Sequence, residues 1–150
     1  MLSLVSHLDR KIHIVFICSG NLFRSPVAEG FARNFGEDKL KVKSCGTIAQ
    51  EGEPPAENAI TIMNEYGIDI SNQRSQPISP QVLSWADWII CMEKAHIDYI
   101  RVYFPEFISK TRLLLPGKDV EDPYASDFEK QKETVRIIKN GVEKLVQSIT

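Results

Sequence analysis

The segment Cys18-Ser-Gly-Asn-Leu-Phe-Arg24-Ser25-Pro26 sets five residues between a cysteine and an arginine, just where an apolar run gives way to residues that start helices. An ionised cysteine is a strong nucleophile, and a guanidinium grips two oxygens of a phosphate-like anion at once, which lysine cannot do. Successive amide N–H groups of a short loop converge into an anion nest, and a following helix adds its unpaired amides and the positive end of its dipole. The stretch is therefore built to hold a tetrahedral dianion against a sulfur, and a cysteine in such a nest is expected to ionise. Gly20 tolerates positive φ and Asn21 visits that region cheaply, so the pair is expected to curl the loop. The Ser25 hydroxyl is placed to donate to the sulfur. Cysteine and arginine at this spacing are weak evidence alone; the strand before them and the Ser-Pro helix start after them carry the reading.

These groups need a scaffold. Lys11 to Cys18 is rich in β-branched and aromatic residues and reads as a buried strand ending at the cysteine. Ser25, as N-cap, and Pro26, at the first helical position, open a helix that closes near Gly36. Further along, Leu40 to Cys45 reads as a strand, Ala56 to Tyr66 as a helix, Asp87 to Met92 as a strand and Glu93 to Tyr103 as a helix. Arg112 to Leu115 makes a fourth strand, and Asp127 to Ile149 a long amphipathic helix. Strands alternating with helices predict a single three-layer α/β domain, a four-stranded parallel sheet flanked by helices, with the phosphate-binding loop after the first strand. Such sheets bind ligands beyond the carboxyl ends of their strands, where Cys18 lies.

Cleaving a phosphate ester calls for a carboxylic acid that protonates the leaving oxygen and then activates water. Asp122, made stiff and extended by Pro123, is the candidate, with Tyr124 placed to flank a substrate ring. A formal net charge of -2 offers no field to attract nucleic acid, and no apolar run is long enough to span a bilayer. Three widely spaced cysteines give neither metal-ligand spacing nor a disulfide framework, so Cys45 and Cys91 read as core thiols in a reducing, cytoplasmic compartment. The first residues carry neither a basic leader nor an apolar core, which agrees with that placement. His13, His96, Trp85 and Trp88 read as packing or surface residues.

The pattern Cys-x-Gly-Asn-x-x-Arg-Ser-Pro resembles the signature of the low-molecular-weight protein tyrosine phosphatases. The similarity continues through Ser44-Cys-Gly-Thr47, Gly67-Ile-Asp-Ile-Ser71, Ala86-Asp-Trp-Ile-Ile-Cys-Met-Glu93 and Asp122-Pro-Tyr124. It implies a phosphatase domain over residues 11–150, with residues 1–10 as an N-terminal extension. It also implies Cys18 as nucleophile, Arg24 as phosphate binder and Asp122 as general acid and base, with no metal or cofactor. Ser19, Gly20, Asn21, Leu22, Phe23, Ser25 and Tyr124 would contact substrate, and Ser44 and Gln73 would support the loop from behind. The implied partners are a phosphotyrosine protein or small aryl phosphate, or inorganic phosphate or sulfate in the loop, with the chain a monomer or weak dimer. Two positions depart from the family. Phe23 stands where many relatives have a cysteine that traps the oxidised nucleophile, and Gln73 where they usually have a histidine. Rival readings are a protein-arginine phosphatase, for which small, polar Ser19 is suited; an arsenate reductase, which needs two further relay cysteines; and a catalytically silent phosphopeptide-binding module.

Overall fold

The computed structural model describes residues 10–150, so all of the expected N-terminal extension except Arg10 lies outside the described residues. Four parallel strands form one sheet in the order β2-β1-β3-β4: β1 (Ile12–Cys18), β2 (Leu40–Gly46), β3 (Trp88–Cys91) and β4 (Thr111–Leu113). Among the described residues five α-helices flank it: α1 (Arg24–Gly36), α2 (Glu57–Glu65), α3 (Pro80–Trp85), α4 (Lys94–Tyr103) and α5 (Phe128–Ile149).

Alternation along β1 builds two cores. Ile14, Phe16 and Cys18 face one layer, against Phe31 of α1, Ile62 of α2 and Val135 and Val142 of α5. Val15 and Ile17 face the other, against Val82 and Leu83 of α3 and Ile100 of α4. With both faces covered, β1 is apolar almost throughout, as central strands of parallel sheets are.

The chain leaves β1 for β2 on one side and later crosses to β3 on the other. The carboxyl end of β1 is therefore the topological switch point, where doubly wound sheets open a crevice. The strand and helix expectations hold to within one or two residues. The six-residue α3 was not anticipated, although Ser79, whose hydroxyl accepts from the Val82 amide, and Pro80 are a start signal. Ser25 is not an N-cap: α1 begins at Arg24 after Phe23, with no side-chain cap, because the Ser25 hydroxyl is engaged at Cys18.

Candidate active site

Residues 18–25 leave β1 as a loop that turns through Asn21, at φ 60°, into the first turn of α1. Asn21 alone takes the left-handed conformation; Gly20 does not share it, contrary to the expectation for the pair. The loop is polarised. Its carbonyls are tied outward, Cys18 accepting from the Thr47 amide at 3.1 Å, Ser19 from Ile48 at 3.0 Å and Leu22 from Ala56 at 2.8 Å. None of the amides of residues 19–25 donates to a protein acceptor among the described residues. Amides without a protein acceptor, beside carbonyls already engaged, are the donors that an anion nest requires.

Behind the loop runs a buried polar chain. Cys18 Sγ lies 2.9 Å from Ser25 Oγ. Asn21 Nδ2 donates to Ser25 Oγ at 2.7 Å and to Ser44 Oγ at 2.9 Å. Ser44 in turn donates to Glu29 Oε1 at 2.6 Å. Because Ser25 Oγ accepts from Asn21, its own proton is free to point at the sulfur. Asn21 Oδ1 accepts from the Gln76 amide at 2.9 Å, which fixes the carboxamide. Glu29, only 6% exposed, ion-pairs with Arg33, yet burial still holds its carboxyl above the ordinary range.

Arg24 is 2% exposed. It donates through Nη1 to Glu93 Oε2 at 2.6 Å and to the Val120 carbonyl at 2.8 Å, while Nη2 lies 3.6 Å from Asp122 Oδ2. Asp122 is half-exposed, and its Oδ1 accepts from the Tyr124 amide at 3.1 Å. Cys18, Ser19, Gly20, Leu22, Phe23, Arg24, Ile48, Asp122 and Tyr124 line a single cavity of about 220 Å³. Ile48 and Tyr124 form its open walls, 76% and 62% exposed, whereas Phe23 is 3% exposed and packs in the core more than it walls the cavity.

Of the sequence-read residues, the fold thus brings Cys18, Arg24 and Asp122 together, with Ser19, Gly20, Leu22, Phe23 and Tyr124 around them. Asn21, Ser25 and Ser44 sit behind the loop. Gln73 does not reach it: its side chain donates to the Pro26 carbonyl at 3.0 Å and accepts from Arg33 at 3.1 Å. The bridge between Gly46 and Pro77 lays residue 76, not 73, alongside the loop, and Gln76 makes the supporting contacts to Asn21 and to the Ser44 carbonyl.

Four contributors escaped the sequence reading: Glu93, His96, Gly46 and Gln76. His96 is buried, with Nε2 3.0 Å from Ser19 Oγ, not a surface or packing residue. Gly46 passes so near the loop that a Cβ there would lie 2.4 Å from the Ser19 carbonyl oxygen. The usable signal was topological. Residues just beyond the carboxyl ends of β2 and β3 must arrive beside those beyond β1, because these strands are parallel neighbours.

A cysteine thiol, a guanidinium and a half-exposed carboxylate around a loop with unpaired amides are the groups a phosphatase of the α/β class would use. The model of the low molecular weight phosphotyrosine protein phosphatase family matches residues 13–150, and the chain belongs to that family. Over 152 aligned residues the chain is 34% identical to the low molecular weight protein-tyrosine-phosphatase YfkJ of Bacillus subtilis, covering 92% of this chain and 96% of that one. It is 32% identical to a glutaredoxin arsenate reductase of Synechocystis, covering 91% of this chain and 98% of that one. The solved arginine phosphatase YwlE of Geobacillus stearothermophilus superposes with a TM-score of 0.87 at 29% identity, covering 92% of each chain.

Proposed function

We propose that the protein hydrolyses phosphotyrosine and related aryl phosphates through a cysteinyl-phosphate intermediate. Cys18 Sγ attacks phosphorus as the thiolate while the loop amides and Arg24 take the three equatorial oxygens. As the P–O bond breaks, Asp122 gives its proton to the leaving oxygen. Water then attacks the S–P bond, Asp122 accepts its proton, and phosphate leaves with the thiolate restored. The observation that carries this reading is the directed hydrogen-bond chain ending at the sulfur, which has no evident use in a core thiol.

Inorganic phosphate or sulfate would occupy the same nest. The catalytic unit is residues 11–150. Cys18, Cys45 and Cys91 are all free and buried, which supports a reducing compartment such as the cytoplasm, and no helix among the described residues is long and apolar enough to cross a membrane.

Ser19, polar and on the cavity wall, keeps phosphoarginine as the second substrate to test, in line with the likeness to an arginine phosphatase. A cysteine relay for arsenate is disfavoured by geometry. Cys45 and Cys91 both pair with Ile17, from opposite sides of β1, so two strand spacings of about 4.8 Å separate them. That exceeds the roughly 7 Å over which a disulfide can close. The test is hydrolysis of p-nitrophenyl phosphate and phosphoarginine by wild type, Cys18→Ser and Asp122→Ala. Turnover should vanish in Cys18→Ser while phosphate binding persists, and should fall by about 10²- to 10⁴-fold in Asp122→Ala. Undiminished turnover in Cys18→Ser would end the proposal.

A further inference from the structure

His96 sits in the first turn of α4 and is 3% exposed, and its neighbours dictate where its proton lies. The Glu93 amide can only donate, and it reaches Nδ1 at 3.0 Å, so Nδ1 is unprotonated. Burial, reinforced by the Arg24 guanidinium, lowers the imidazole pKa to about 4, so the ring is neutral at pH 7 and its one proton is on Nε2. That nitrogen is 3.0 Å from Ser19 Oγ and 3.8 Å from Glu93 Oε2. Ser19 is therefore the acceptor, and its own hydroxyl proton is turned away from His96. Ser19 lines the cavity with Cys18, Asp122 and Tyr124, so the proton is available to a bound substrate.

We propose that His96 is a positioning residue for leaving-group selection: by occupying one lone pair of Ser19, it aims the Ser19 proton at the leaving atom of the substrate. An ester oxygen gains charge as its bond to phosphorus breaks and accepts that hydrogen bond, the more strongly the poorer the leaving group. The inference rests on the roles of Cys18, Arg24 and Asp122 given above and extends them to leaving-group preference. Without the imidazole, the Ser19 hydroxyl rotates freely and its help to the leaving oxygen is diluted.

The readout is the ratio of kcat/KM for phenyl phosphate to that for p-nitrophenyl phosphate, because a donor at the leaving oxygen matters more to the poorer leaving group. A ratio is insensitive to the fraction of enzyme that folds. Ser19→Ala should lower it by about fivefold, the worth of one net hydrogen bond. His96→Phe should lower it by a similar factor, and the double variant no further, because His96 acts through Ser19. His96→Gln retains a donor near the position of Nε2 and should restore most of the ratio. An unchanged ratio in His96→Phe, or one that drops as far with alanine at position 19 as with serine, overturns the proposal. Cys18→Ser separates the two layers: if it is inactive but the cycle is additive, only the role of His96 fails; if it remains active, the reading of the site fails first.

Discussion

Gly46 closes β2 directly beneath the loop, and replacing it with alanine tests how rigidly the nest is held. The added Cβ would lie 2.4 Å from the Ser19 carbonyl oxygen and 3.0 Å from the Asn21 amide nitrogen and from the Ala49 Cβ. Two of these neighbours are backbone and cannot rotate away. The Ser19 carbonyl is also pinned by the Ile48 amide at 3.0 Å. Ordinary contact begins near 3.4 Å, so relief requires the loop to move by about 1 Å relative to β2. Overpacking of this kind costs about 1–3 kcal/mol of stability, and a displacement of about 1 Å at a reacting centre costs about 10²-fold in rate. Gly46→Ala should therefore lower the urea midpoint and reduce kcat/KM for p-nitrophenyl phosphate by about two orders of magnitude, with weaker inhibition by inorganic phosphate. Gly20→Ala is the control, because its Cβ would meet only Leu22 Cγ, at 3.9 Å, and its φ is not left-handed. Its stability should stay within about 0.5 kcal/mol of wild type. Activity of Gly46→Ala within twofold of wild type would refute the idea that β2 and the loop form one rigid body.

Glu29 supplies a pH test. Burial raises its native-state pKa above the ordinary 4.5, so in this region the native state binds more protons than the unfolded one, and stability falls as pH rises through the interval between the two values. Glu29→Gln removes that term, so its stability relative to wild type should increase from pH 4 upward and then level off; urea titrations at several pH values would show this, and a constant difference would disprove it. Peroxide offers the other: with Phe23 beside Arg24, and Cys45 and Cys91 on the far face of the sheet from Cys18, no internal thiol can trap a sulfenic acid. Activity lost to peroxide should return with added dithiothreitol and not on standing; spontaneous recovery would point to a protein thiol that reaches Cys18.

What was legible in the sequence was local. Cys18, Arg24, the left-handed Asn21 and the strand-loop-helix around them all fall within the twenty-five residues 12–36, whose types state their conformations. The failures share a cause as well. Ser25 has the composition of an N-cap, but the sulfur competes for its hydroxyl and wins. Gln73 and Gln76 have the same side chain, and only the bridge from Gly46 to Pro77 decides which one serves Asn21. Glu93 and His96 lie about seventy residues from the groups they contact, and a single helix-starting segment holds no hint that β3 will pair with β1. Strand order is set by which faces can be buried together, a property of the whole chain.

That division of labour bears on substrate choice. Arg24, Asn21, Ser25, Ser44 and His96 are all 5% exposed or less and bonded to one another or to adjacent backbone, so altering any of them leaves a buried polar group without its partner. Ile48 and Tyr124 project into solvent and make no side-chain hydrogen bond. Their replacement changes the cavity wall and little else. Ser19 stands between the two sets, half-buried, held from behind by His96 and open to the cavity in front. Under the proposed function, substrate choice would therefore lie with the wall residues, and Ser19, held by His96, is the one through which the buried network would reach the substrate.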